Sequence, residues 1–423
     1  MAEDLWRLTA TAAVQRIQAG TLRPEALMEA CLARIAEREP TVQAFAWLDP
    51  AAAMRAAAAA GPGKLHGLPV AVKDVLDTAD MPSQYGSPIW RDWQPRADSA
   101  PVAWMRAAGG VAIGKTVTTE FATRTPGPTS NPANAAHTPG GSSSGSAAGV
   151  GAGFFPLAYG TQTAGSVIRP AAYCGVVGYK PSFGTIDRNG MKIMADSLDT
   201  VGVIARSVAD CALFAGAVAG RDLGDPDRRP ERAPRVGVCR SPTWDAADAT
   251  THALLGRIAD TLARAGATVT DRELPAEYAA LVEAHAVVMN SESARSLGWE
   301  MAAARDQLSP VLRERMEFGL AQTEAARDAA YAVFARTQAA FPAATEGLDV
   351  LLTPAAPGEA PKGLGWTGDP VMNSIWTSLH VPCVTVPAGT GPNGLPLGIQ
   401  IVGRRGEDRA VLAWAQWVAA AIG

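Results

Sequence analysis

No two cysteines among the 423 residues are spaced as a metal or redox motif. The five that occur (Cys31, Cys174, Cys211, Cys239 and Cys383) are scattered and odd in number. That argues against a zinc site or a disulfide framework and for buried free thiols in a reducing compartment. Runs of Lys and Arg are missing as well, so neither nucleic acid nor an anionic lipid surface is an expected partner. No apolar stretch reaches the ~18 residues of a membrane span. The N-terminus has no basic segment followed by an apolar one, so a secretory leader is not expected. Charged residues are only 18% against 48% apolar, with a net charge of −4; this is the balance of a compact globular chain rather than a disordered one. The expectation is a soluble, cytoplasmic protein, long enough for one large core or two to three ordinary domains.

What is present alternates. Pro24 suits a first helical turn, and Leu27, Cys31 and Ile35 recur at helical spacing; Pro40 is expected to end that helix. Residues 51–60 are almost all alanine and read as helix. Short apolar runs then read as buried strands: Val70–Val72, Val111–Ile113, Val201–Ile204, Val236–Cys239, Val350–Leu352, Cys383–Val386 and Ile399–Val402. Helical segments near 101–108, 246–265, 276–304 and 407–421 lie between them. This alternation predicts an α/β protein whose central sheet is covered on both faces. Asp222 to Pro234, rich in Arg, Asp and Pro, reads as an exposed connection. The segment from Ala355 to Asp369, with four glycines and two prolines, reads as a long functional loop.

Two motifs match familiar patterns without their required context. Gly109-Gly110-Val111-Ala112-Ile113-Gly114-Lys115-Thr116 fits G-x-x-x-x-G-K-T. A phosphate-cradling loop needs a strand before it and a helix after it, and here the order is inverted. Gly141-Ser142-Ser143-Ser144-Gly145 fits the G-x-S-x-G elbow, but loop-like residues precede it where a strand is required. The histidines that follow, His252, His285 and His380, read as packed or solvated side chains rather than as a triad base.

Three other segments carry chemistry when taken together. Pro69-Val70-Ala71-Val72-Lys73-Asp74 puts a lysine at the end of a strand-like run. Pro139–Ala148 and Gly160–Ala171 are glycine-rich and contain Ser142 and Ser166, 24 positions apart. Taken singly, such loops make turns and such a lysine reaches solvent. In this order they resemble the amidase signature family, as do the Lys115–Phe121 region and Gly394-Leu395-Pro396-Leu397-Gly398-Ile399-Gln400-Ile401-Val402-Gly403. The resemblance runs from about Leu5 to the end. It implies an α/β amidase signature fold, with a twisted mixed sheet between helices. It also implies a single domain over 1–423: an N-terminal helical segment (1–60), a signature core (about 60–220), a helix-rich lobe (about 235–350) and the C-terminal part of the core sheet (350–423).

The resemblance further implies Ser166 as nucleophile, Ser142 as bridging serine after a cis peptide bond at Gly141–Ser142, and Lys73 as base. The backbone N–H groups of Thr163, Ala164, Gly165 and Ser166 would form the oxyanion hole. The chemistry is coherent: a serine hydroxyl needs a neighbouring base, and a lysine serves as one only when burial lowers its pKa towards about 7–8. No cofactor and no metal is implied. Many members of the family read Gly-Thr-Asp-Thr-Gly-Gly-Ser-Ile-Arg-x-Pro. Here Gln162 stands at the acidic position, Ile168 at the usual arginine, and Arg169 one place later. That variant is similar to the malonamidase branch, whose matching arginine holds a substrate carboxylate. Arg169 therefore has two readings, substrate binding and bracing of the loop. The expected function is hydrolysis of a small-molecule amide through an acyl-enzyme on Ser166. Carbamates (urethanes), anilides and esters share that chemistry. Also open are a glutamine-hydrolysing subunit of an amidotransferase complex, a non-catalytic binding relative, and assembly as a homodimer. The pocket walls are expected from the helices after residue 270 and from the turn around Trp366 to Trp376.

Overall fold

The structure is a computed structural model that describes residues 4–228 and 230–423. Eleven strands among the described residues form one mixed sheet: β1 (Phe45–Trp47), β2 (Pro69–Lys73), β3 (Val111–Thr116), β4 (Leu157–Gln162), β5 (Val177–Lys180), β6 (Thr200–Ala205), β7 (Arg235–Arg240), β8 (Thr268–Glu273), β9 (Val350–Pro354), β10 (Cys383–Thr390) and β11 (Pro396–Val402). Their order is β1-β3-β2-β4-β6-β5-β10-β11-β9-β7-β8. Helices cover both faces, so every residue of β2, β3, β4, β6 and β9 is buried. This is the α/β arrangement that the alternating pattern predicts. No described helix is long and apolar enough to cross a membrane.

All seven apolar runs fall within strands. The four further strands lacked that signature for identifiable reasons. β1 is three residues long at one edge. β8, at the other edge, ends in Asp271-Arg272-Glu273 and is mostly exposed. β4 (Leu-Ala-Tyr-Gly-Thr-Gln) and β5 (Val-Gly-Tyr-Lys) carry glycine and polar residues, because the sheet there lies against the site. The first long helix runs Pro24–Val42 and contains Pro40, correcting the expectation that Pro40 ends it. A proline in the last turn forfeits one hydrogen bond but leaves the preceding turns intact. The helix stops instead at Gln43, with φ 52°. Beyond it the Glu39 carboxylate accepts the N–H groups of Ala44 and Phe45 at 2.9 and 2.8 Å.

Two features of the sheet position the site. β2 pairs in parallel with both β3 and β4, so the C-terminal ends of all three strands meet at one edge of the sheet, where α/β folds place their ligands. The helix Ser144–Ala152 packs beside them with all but one residue buried. Its composition (Ser-Gly-Ser-Ala-Ala-Gly-Val-Gly-Ala) permits that. A Cβ on Gly145 would lie 2.0 Å from the Ala44 carbonyl oxygen and 2.6 Å from the Val117 nitrogen, and one on Gly149 would lie 2.1 Å from the Phe155 ring. Gly145→Ala is therefore expected to destabilise the fold by ~2 kcal/mol or more, since backbone cannot yield as a side chain can. Urea titration read by far-UV dichroism checks this; an unchanged midpoint would refute the close packing.

Candidate active site

Lys73 ends β2, wholly buried, and its Nζ donates to two hydroxyl oxygens: Ser142 Oγ at 2.8 Å and Thr161 Oγ1 at 2.7 Å. No carboxylate among the described residues touches it. Burial pushes the amine down to about 7, with the more distant Asp199 charge pulling the other way. Near neutrality it can therefore exist as a free base. Thr161 escaped the sequence reading; its signal was a hydroxyl one residue from the end of β4, the parallel neighbour of β2.

Ser142 follows a cis peptide bond from Gly141 and is almost fully buried. Its carbonyl accepts the Thr119 N–H at 3.3 Å. The two serine segments are stitched together next door, where Ser143 N–H donates to the Ser166 carbonyl at 3.4 Å. Ser166 Oγ takes no protein partner among the described residues, and Ser166 lines a cleft open to solvent. The structure thus forms the Lys73–Ser142 contact and leaves the Ser166 hydroxyl free at the cleft, as is common before substrate binds.

The segment Thr163–Ser166 shows a division between its carbonyls and its amides. All four carbonyls are engaged: Thr163 by His285 Nε2 at 2.9 Å, Ala164 by Thr377 Oγ1 at 2.8 Å, Gly165 by Arg169 N–H at 2.9 Å, and Ser166 by Ser143 N–H. Among the described residues none of the four N–H groups has a protein acceptor. Anchored carbonyls orient the peptide planes and leave the amides free to face an anion. Thr163 Oγ1 also donates to Asp199 Oδ1 at 2.5 Å. Asp199 accepts the Met194 and Ala195 N–H groups as well, and burial raises its carboxyl to about 6. A Cβ on Gly165 would meet Asn373 Oδ1 at 2.4 Å, so only glycine fits there.

Gln162 is a neutral cap. Its Oε1 accepts the N–H groups of Val167 and Ile168 at 2.9 and 3.1 Å, at the start of the helix Ile168–Cys174, and its Nε2 donates to Thr377 Oγ1 at 3.1 Å. Ile168 is wholly buried in an apolar cluster with Tyr173 and Trp376. Arg169 is 4% exposed and lines the cleft. Its Nε donates to the Thr367 carbonyl at 2.9 Å and its Nη2 to the Gly141 carbonyl at 2.6 Å. Among the described residues its buried Nη1 has no partner. Burial lowers the guanidinium to about 10, which still leaves it charged at neutral pH.

The cleft walls match the expected regions in part. Met289 comes from the helix Ala280–Ser296, Arg315 from the helix Pro310–Leu320, and Thr367, Gly368 and Pro370 from the expected loop and turn. The Ala122–Arg124 wall was not foreseen. Lys115, from the phosphate-loop look-alike, sits in a strand preceded by a helix. It is locked to Asp74 at 3.1 Å, both side chains buried. His285 and His380 each donate Nε2–H to a backbone carbonyl, those of Thr163 and Ser197, and burial lowers both to about 4. Neither is a base for Ser166.

The family model described as Amidase matches residues 26–412. Among curated relatives, the A-type subunit of the glutamyl-tRNA(Gln) amidotransferase of Anaeromyxobacter sp. (strain K) is 34% identical, covering 98% of this chain and 96% of the relative. A solved amidase structure superposes with a TM-score of 0.90 at 28% identity, over 98% of this chain and 100% of its own. The native peptide amidase from Stenotrophomonas maltophilia gives 0.82 at 29%, over 98% and 97%. The chain belongs to the amidase family.

Proposed function

We propose that this protein is a serine amidase that cleaves the C–N bond of a small carboxylate-bearing amide. Ser166 serves as nucleophile, Ser142 as proton bridge and Lys73 as base. The observation that carries the reading is a buried lysine with no carboxylate partner, hydrogen-bonded to a serine hydroxyl beside a run of four free backbone amides. Neutral Lys73 takes the Ser142 proton as Ser142 takes that of Ser166. Ser166 Oγ bonds to the carbonyl carbon, and the resulting oxyanion meets the amides of Thr163–Ser166. The relay then runs backwards to protonate the nitrogen as the C–N bond breaks, releasing the amine. Water attacks the acyl-enzyme, returning Ser166 and a carboxylic acid.

Arg169 is assigned both of its readings. Nε and Nη2 brace the loops around Gly141 and Thr367, and the unpartnered Nη1 is left for a substrate carboxylate. A second reading, an ammonia-supplying component of an amidotransferase complex, draws on the name of the 34%-identical relative. The Gln162/Ile168/Arg169 set departs from the pattern common in the family and favours the free-standing amidase. Copurification with a stable heteromeric partner would reverse that preference.

Three outcomes are expected. Lys73 must be neutral, and its folded pKa is lowered to about 7, so kcat/KM should climb as pH rises through about 7 and then level off. Lys73→Ala should remove that limb and lower kcat/KM by about a hundredfold or more. A limb surviving at the same midpoint would assign it to another group, such as Asp199, and sink the relay. Ser166→Ala should abolish labelling by a serine-directed phosphonate, whereas Ser142→Ala should keep the nucleophile but slow labelling. Undiminished labelling of Ser166→Ala would show that the wrong serine was chosen. Arg169→Ala should reduce kcat/KM for malonamate at least about tenfold more than for propionamide; equal losses would leave Arg169 a bracing role alone.

A further inference from the structure

Two guanidinium groups in the cleft take no part in the relay or in bracing. Arg124 is exposed on the loop after Glu120–Ala122, and Arg315 is half-buried on the helix Pro310–Leu320. Both line the cleft that holds Ser166 and Arg169. Among the described residues neither has an acidic partner or a hydrogen bond. Among the described residues no Asp or Glu lines the cleft.

The two elements that carry these charges are tied to each other. Ser309 caps the helix of Arg315. Its N–H donates to Glu120 Oε1 at 3.1 Å, and its Oγ shares a hydrogen bond with Thr125 Oγ1 at 2.7 Å. The loop is shaped further by left-handed φ values of 45° at Phe121 and 58° at Ala122. Non-glycine residues hold such values only where their surroundings enforce them. Here Phe121 N–H is fixed to the Tyr85 carbonyl at 2.8 Å and Glu120 N–H to the Thr125 carbonyl at 3.0 Å. The charges held this way oppose one another. Burial, with Arg124 acting in the same direction, lowers Arg315 to about 10, and Arg124 pushes Arg169 the same way. Three like charges in one cleft without an acid repel each other until an anion enters.

The three guanidinium groups differ in depth. Arg169 is almost wholly buried, whereas Arg124 is exposed to solvent and Arg315 is half-buried on the same cleft. The amine must leave by the open side. We infer that Arg124 and Arg315 form an anion subsite for the leaving group, so that the preferred substrate is an amide whose amine portion carries a carboxylate, as in an N-acyl amino acid. The inference rests on Ser166 as nucleophile and on Arg169 as the acyl-side wall. A carboxylate one carbon from the amide nitrogen would be gripped by planar guanidinium donors rather than by a point charge.

The test uses binding, so that it does not depend on turnover. Ser166→Ala protein is titrated calorimetrically with N-acetylglycine and with N-ethylacetamide, which share an uncharged acetyl group and differ in the leaving-group carboxylate. N-acetylglycine should bind at least about tenfold more tightly, and that preference should shrink with added salt. Arg124→Gln and Arg315→Gln, each on the Ser166→Ala background, should each remove most of it. Arg315→Lys keeps the charge and should retain more than Arg315→Gln. Equal affinity for the two amides overturns the inference, as does a preference untouched by both Gln variants. So does an equal loss in Arg315→Lys and Arg315→Gln accompanied by a lowered Tm, which marks a structural role. If Ser166→Ala still releases glycine, it is the assignment of the nucleophile that fails, and the binding comparison still judges the subsite.

Discussion

The site depends on burying a lysine without giving it a carboxylate. An ammonium in an apolar interior is costly unless paired, and an unpaired one sheds its proton instead. Among the described residues three lysines are wholly buried, and each is treated differently. Lys115 lies against Asp74 at 3.1 Å, which favours its charged form. Lys180 faces only carbonyl acceptors, those of Pro181 and Val381. Lys73 faces two hydroxyl oxygens. A carbonyl can only accept and a carboxylate holds the ammonium in place. A hydroxyl can accept a hydrogen bond from the amine or give its proton to it. Lys115 also meets a hydroxyl, Ser83 Oγ at 2.5 Å, but its Asp74 partner favours the ammonium; among the described residues only Lys73 combines a hydroxyl partner with the absence of a carboxylate.

That requirement shapes the neighbouring strand. β4 runs parallel to β2, and its last residues divide the work. Thr161 faces Lys73, Gln162 caps the next helix, and Thr163 begins the segment of free amides. Because the carbonyls of Thr163, Ala164 and Ser166 are tied down by partners from elsewhere in the chain, the amide directions do not rest on the loop alone. His285 and Thr377 each spend a donor on it from distant helices. The glycines then follow from crowding: Asn373 fills the space a side chain at 165 would need, and the helix after Ser142 rests directly on the backbone at Ala44 and Val117.

How much of this was legible in the sequence depended on the kind of signal. Fully buried strands announce themselves as apolar runs, and all seven such runs are strands. β4 did not, because it ends in the polar residues that serve Lys73; the element nearest the chemistry departs most from the ordinary strand pattern. Lys73, Ser142 and Ser166 were visible only as a set, through family resemblance, since each alone is an ordinary loop or strand-end residue. Arg124 and Arg315 gave no such signal. Their meaning comes from long-range contacts, such as Ser309 reaching Glu120 across 189 positions, and local periodicity carries no information on these.

The residues at 162, 168 and 169 fit one another for a physical reason. An acid at 162 would cap the helix through its two N–H groups as well as Gln162 does, but it would also bring a negative charge beside the cleft. A guanidinium nearby would then have an internal partner and less to offer a substrate. Gln162 supplies the same two acceptor contacts without charge, and Ile168 fills a wholly buried apolar position where an arginine would be stranded. The arginine one residue later is turned instead towards Gly141 and Thr367, whose carbonyls orient it without neutralising it. The acid with the clearest influence on it, Asp369, lies on the exposed turn outside the cleft wall. Neutral acceptors fix the direction of Arg169 and leave its charge uncompensated, which is the condition for a substrate carboxylate to gain from binding there.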